Sequence, residues 1–170
     1  MWLTSEKPLL CLNIYEFLKQ MEDQKIVVYE RLQFLIQEKI SQLKADLKSA
    51  EESGKADTKS SMGDKHETSR EIVRQEIDFI TARLNEAENM SAELNRINGS
   101  EIHETIRPGS LVETATSSFF ISVAFGKIQV NDKTIYAISL ASPAGTALKG
   151  KKSGENFEIN GRKNSIISVA

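Results

Sequence analysis

Apolar side chains recur along the first half of the chain in the rhythm of a helical seam. Val28, Leu32, Ile36, Ile40, Leu43, Leu47 and Ala50 are mostly four and three apart, and Val73, Ile77, Ile80, Leu84, Ala87, Met90, Leu94 and Ile97 repeat the pattern. That spacing keeps one stripe of a helix turned toward a partner. It predicts two helical arms, over about 14–52 and 65–97, although the register is blurred before Val28. Between them, 53–61 has no apolar period and is rich in turn formers, with Gly54 as a stop for the first arm. Pairing Leu47 with Val73, Leu43 with Ile77, Ile40 with Ile80 and Ile36 with Leu84 keeps the sum of positions constant, as an antiparallel hairpin requires. An arm of about 33 residues would be roughly 50 Å long, with a thin core and much solvated surface. Such an object is a probe or spacer rather than a catalytic vault.

The period changes after Pro108-Gly109. Phe119, Ile121, Val123 and Phe125 alternate with smaller or more polar neighbours, the mark of a half-buried strand. Further strands are expected at 127–130 and 134–140, around Asn131-Asp132, and at 156–159 and 163–169, around the hairpin signal Asn160-Gly161. One short helical piece, 143–149, interrupts them and stops at Gly150. The expected fold is α+β. Residues 1–13 form an irregular extension punctuated by Pro8, 14–99 an antiparallel two-helix coiled-coil hairpin with its tip near 62–67, 100–107 a linker, and 108–170 a small antiparallel-sheet domain.

Composition narrows the function. With 27% charged and 39% apolar residues and a net charge of −2, the chain lacks the strongly basic balance of a general nucleic-acid binder. The single cysteine, Cys11, makes no internal disulfide and no metal cluster, which fits a reducing, cytoplasmic setting. The run from Leu9 to Leu18 is too short to span a bilayer, is broken by Asn13 and Glu16, and follows Glu6 and Lys7 rather than a cationic segment. Neither a membrane span nor a secretory leader is expected.

The candidate chemistry lies at the hairpin tip, Met62-Gly63-Asp64-Lys65-His66-Glu67. Three residues apart, Asp64 and Glu67 would be about 60° apart around a helix and share a face. Two exposed carboxylates can hold a divalent cation jointly when another molecule completes the shell. The same pair also reads as a capping box, Asp64 as N-cap and Glu67 at the third helical position. His66 falls about 200° around from Asp64 and does not join them. His103 stands alone in the linker and reads as structural. The stretch from Gly145 to Lys152 approaches a phosphate-binding loop but ends in Lys152 where a Ser or Thr is needed for magnesium. The histidines and the cysteine sit in unrelated segments, so no nucleophilic triad is expected.

Taken in order, these features resemble the bacterial Gre transcript-cleavage factors. An N-terminal coiled coil carries Gly63-Asp64-x-x-Glu67 at its tip, and the later element Ser142-Pro143-Ala144-Gly145-Thr146-Ala147-Leu148-Lys149-Gly150-Lys151-Lys152-Ser153-Gly154-Glu155 is similar to the signature of that family's FKBP-like C-terminal domain. The similarity covers about residues 25–169. It implies a factor that is not itself an enzyme, is monomeric, and docks on bacterial RNA polymerase through its C-terminal domain. Its coiled coil would enter the secondary channel and reach the 3′ end of the nascent RNA indirectly. Asp64 and Glu67 would help to hold a Mg²⁺ shared with the polymerase, with no cofactor stably bound to the free chain. Ser142, Pro143, Gly145, Leu148, Gly150 and Lys151 would belong to the docking element. The chain departs from the family in continuing Thr68-Ser69-Arg70-Glu71 after the tip acids, where Asn-Ala-Glu-Tyr is usual, and in having Ala141 where an acid is common. Two other functions stay open beside transcript cleavage: a channel modulator or inhibitor without cleavage, and more distantly an FKBP-like prolyl isomerase or chaperone. The isomerase would need a pocket lined by rings such as Phe119, Phe120, Phe125, Tyr136 and Phe157.

Overall fold

A computed structural model describes residues 7–57 and 65–170, and the side chains at 7–15, 17–18 and 55–69 fall outside the described set. The elements in order are α1 (Lys7–Asp57), α2 (Lys65–Leu94), β1 (Leu111–Thr114), β2 (Ser118–Ile121), β3 (Gly126–Val130), β4 (Lys133–Ile138), α3 (Pro143–Leu148), β5 (Asn156–Ile159) and β6 (Arg162–Val169). This is a long helical hairpin followed by a sheet domain, an α+β chain. It divides into two compact units: Gln33–Glu93, and the described residues up to Leu32 together with Leu94–Ala170. Helix α1 contributes to both.

In the first of these units the second half of α1 lies antiparallel to α2. Ile36, Ile40, Leu43 and Ala50 are buried, as are Ile80, Leu84 and Ala87, so the apolar stripes do form the seam. Their register differs from the expected one. Gln37 Nε2 donates to Ser91 Oγ at 2.9 Å, Lys44 pairs with Glu88 at 2.9 Å, and a Cβ on Gly54 would lie 3.1 Å from Val73 Cγ1. Val73 therefore faces Gly54 rather than Leu47, one heptad away from the pairing read in the sequence. A seven-residue slip presents the same stripe to the same stripe, so the apolar pattern does not distinguish the two. Gly54 is a close-approach residue in the seam, and α1 continues through it to Asp57. The other end of α1 also runs further than expected. Residues 7–13 are helical rather than an irregular extension, because Pro8 in the first turn removes an N–H that has no helical partner there.

The other unit is built on one six-stranded sheet in the order β3-β4-β2-β1-β6-β5. Four of its pairings are antiparallel, but β2 and β4 run parallel, with Phe119 beside Tyr136 and Ile121 beside Ile138. This one pairing departs from the expected antiparallel sheet: β3 goes to the edge, and β4 returns between it and β2. Strand β1 had no counterpart in the sequence reading. At four residues it is too short to show a period, and its pairing comes from β2 and β6. One face of the sheet carries Val112, Ile121, Phe157 and Ile166, which close over Ile106 and Leu148 as the core. Gly145 and Leu148 are the buried residues of α3. The opposite face carries Leu111, Phe120, Ile135 and Ala137, all buried. A cavity of about 150 Å³ lined by Gln20, Met21 and Gln24 of α1 and by Leu111, Glu113, Lys133 and Ser168 places the first part of α1 along this second face.

Candidate functional site

The expected site residues fall into two groups. Asp64 lies outside the described residues. Lys65 is the first residue of α2, so Asp64 is the residue just before the helix in sequence, and Glu67 is the third within it. The side chains of His66 and Glu67 are likewise outside the described set. Among the described residues no group of three or more His, Cys, Asp or Glu side chains is placed to hold a metal ion, and no helix is long and apolar enough to cross a membrane.

The second group, within 142–155, is fully described, and much of its pattern is explained by local structure. Ser142 is the N-cap of α3: its Oγ accepts from Gly145 N at 3.0 Å and donates to Ser139 O at 2.7 Å. Pro143 follows in the first turn, where its fixed φ suits a helix start. Gly145 admits no side chain, because a Cβ there would stand 2.1 Å from Ser139 O. Leu148 is fully buried. Gly150 turns the chain at φ +73°. Its N–H donates to Ile106 O at 2.9 Å, while Ile106 N donates to Lys151 O at 2.9 Å. Two backbone bonds thus tie the end of α3 to the stretch that precedes the sheet. Of the element, Pro143, Thr146, Lys149 and Gly150 face solvent, while Gly145 and Leu148 are interior. The near-match to a phosphate loop resolves as a capped six-residue helix and its glycine exit.

A cluster missed by the sequence reading lies where α1 meets the segment after α2. Lys25 is fully buried in α1, and its Nζ donates to the carbonyl oxygen of Glu101. The Glu101 carboxylate pairs with Arg107 and lies 3.9 Å from His103 Nε2. His103 is buried, with Nδ1 2.8 Å from Ser110 Oγ. Burial lowers the Lys25 ammonium from its ordinary value to about 8, with Glu101 and Glu22 acting against the shift and Arg107 adding to it. Burial also pushes His103 down, helped by the positive charges of Lys25 and Arg107 and opposed by Glu101. Two glycines allow the close contact. A Cβ on Gly99 would sit 2.8 Å from the Tyr29 ring, and one on Gly109, at φ +93°, would sit 2.9 Å from Ile97 and 3.3 Å from His103. One signal of this cluster was in the sequence: Lys25 occupies the apolar stripe three residues before Val28.

Of the rings proposed for an isomerase pocket, Phe119 and Phe157 line one cavity. Phe120 points to the sheet face opposite Phe119 and Phe157, as its pairing with Leu111 requires. Phe119 stacks at a tilt on Tyr136, centroids 6.0 Å apart.

No family model matches the sequence, and no curated protein matches it. Among solved structures the chain is similar to one described as the transcription factor Gfh1, at 23% identity over 83% of this chain and 92% of that one, with a TM-score of 0.33. At that TM-score the likeness assigns no activity to this chain; the chain is an α+β protein with a long helical hairpin and a sheet domain that carries a Ser-capped α3.

Proposed function

We propose that the chain is a Gre-like transcription factor of the cytoplasm that binds RNA polymerase and presents its hairpin tip to the secondary channel. One observation carries the reading: Gly63-Asp64-Lys65-His66-Glu67 lies in sequence at the junction between the helices of an antiparallel pair, and the sheet domain supplies the Ser142-capped helix that begins at Pro143. In this reading Asp64 and Glu67 would hold, jointly with polymerase, a Mg²⁺ that when bound activates water and stabilises the attacking and leaving oxygens. Carboxylate oxygens suit that hard cation, and two of them leave most of its six positions to water, RNA and polymerase. The chain's own part is positional: α1 and α2 carry the acids forward, and the exposed edge of α3 around Pro143 forms the contact with the channel rim.

The amide variants test this. Asn caps a helix about as well as Asp, and Gln also serves a capping box, so Asp64→Asn and Glu67→Gln keep the helix start. Each removes an anionic ligand. In a stalled elongation complex with labelled RNA, wild type is expected to shorten backtracked 3′ ends in Mg²⁺, and both variants to lose most of that cleavage at unchanged thermal stability. Equal cleavage by wild type and variants would reduce the acids to caps. A second reading, a channel modulator without cleavage, is favoured by Thr68-Ser69-Arg70-Glu71 after the tip acids. Binding of wild type to polymerase with no shortened RNA would select it.

A further inference from the structure

The sheet face that bears the core also carries a cavity of about 640 Å³ away from α3, floored by Phe119, Phe157 and Ile159 and edged by Thr116, Arg162 and Asn164. Its size is that of a ligand site. The strand register decides which side chains share this face. Ile159 is opposite Arg162 and Phe157 opposite Asn164, whereas Lys163 is opposite Glu158. Directly opposed residues point the same way, so Arg162 and Asn164 stand on the cavity side, and Lys163 between them also lines the cavity. Asn164 Nδ2 donates to Thr116 Oγ1, tying the β5–β6 hairpin to the β1–β2 turn. Along the same face Phe119 is beside Tyr136, which is 38% exposed, and Tyr136 is opposite Lys127.

The result is an aromatic and aliphatic strip with Lys127 at one end and Arg162 and Lys163 at the other. The domain's carboxylates are elsewhere. Glu113 is on the other face, paired with Lys133 at 3.1 Å. Glu155 accepts from Lys152 N within its own loop at 2.5 Å, and Asp132 is in the β3–β4 turn. Arg162 forms no ion pair among the described residues. Charge is segregated along the chain in the same sense: from Pro108 onward there are seven Lys and Arg against four Asp and Glu, while the first 107 residues hold fifteen against twenty.

We propose that this face binds an extended acidic segment of a partner protein, seating a carboxylate on Arg162 and a neighbouring apolar or aromatic side chain on the Phe119–Phe157 floor. A guanidinium matches a carboxylate with two parallel donors, and the rings supply area at little entropic cost. Single-stranded RNA is the weaker fit, because its affinity comes from many phosphate contacts and this face offers three cations, Lys127, Arg162 and Lys163. None of the cavity's lining residues belongs to the Ser142-Pro143 element, so the inference does not depend on polymerase docking.

The test uses the full chain labelled with ¹⁵N, titrated with N-acetyl-Phe-Glu-amide and followed by amide shifts. Saturable shifts at Phe119, Phe157 and Asn164 are expected, at least fivefold weaker binding for the Gln analogue, and a similar loss in Arg162→Gln, whose exposed position leaves the fold intact. Lys133→Gln, on the opposite face of the sheet beside Glu113, should bind as wild type. Absence of saturable shifts at those amides, equal binding of the Gln analogue, an unaffected Arg162→Gln, or binding of a uridine octamer in preference to the acidic probe would each overturn the proposal.

Discussion

Lys25 shows what one residue costs and controls. A lysine placed in an apolar stripe and fully buried keeps its charge only against desolvation, and a hydrogen bond to a carbonyl offsets part of that cost. Its value of about 8 in the fold lies below the 10.5 of an exposed lysine, so between those two values the unfolded chain binds more protons than the folded one. Stability is therefore expected to rise with pH from about 8 to 10.5, by at most ~1.4 kcal/mol per pH unit. Below about 8 the lysine is charged in both states and contributes no slope. Urea unfolding of wild type and Lys25→Met across that window checks this, and the variant should lose the rise. His103, also lowered, acts in the same sense on the acid side: it stays neutral beside Ser110 near neutral pH, and protonating it disfavours the fold.

At the scale of elements, the seam poses a registry problem that its own pattern cannot solve. A Gly54–Val73 contact and the Gln37–Ser91 bond agree with one another and differ by one heptad from the pairing expected from the sequence. With Cys11→Ser as background, Gln37→Cys with Ser91→Cys is expected to form a disulfide readily. Gln37→Cys with Arg83→Cys, the partner in the slipped register, is expected not to. Non-reducing electrophoresis after mild oxidation reads both. Helix α3 makes the complementary point: six residues are far below the length at which an isolated helix is stable, and the element holds because Ser142 caps it, Leu148 is buried and Ile106 takes both backbone bonds at its exit.

For the whole molecule, the proposed function separates the tip from the docking face, and that separation can be examined. Ser142 is unsuitable as a probe because it caps α3 and its loss would disturb the domain. Pro143 is exposed and outside the core. Pro143→Ala is expected to weaken binding to core polymerase about tenfold with an unchanged circular-dichroism spectrum. Unchanged affinity, measured by surface-immobilised polymerase, would remove the α3 edge from the docking face while leaving the tip chemistry to its own assay. Variants of Asp64 and Glu67 should in turn leave the affinity alone.

Features that rest on local pattern were legible in the chain alone. The heptad stripes set two helical arms, Asn160-Gly161 set the β5–β6 hairpin, and Ser142-Pro143 with Gly150 marked both ends of α3. The candidate tip acids, too, were legible only as residues in a motif, since Asp64 and the Glu67 side chain are outside the described residues. Tertiary structure decided everything that depends on partners distant in the chain. It set the heptad register, because a seven-residue translation leaves the stripe unchanged. It also set the parallel β2–β4 pairing and the existence of β1, because four residues hold no period and take their hydrogen bonds from neighbours. Finally it set the meaning of Lys25, His103 and Arg162. Whether a charge is buried, paired or turned toward a cavity follows from which strands and helices close around it, and no local pattern contains that information.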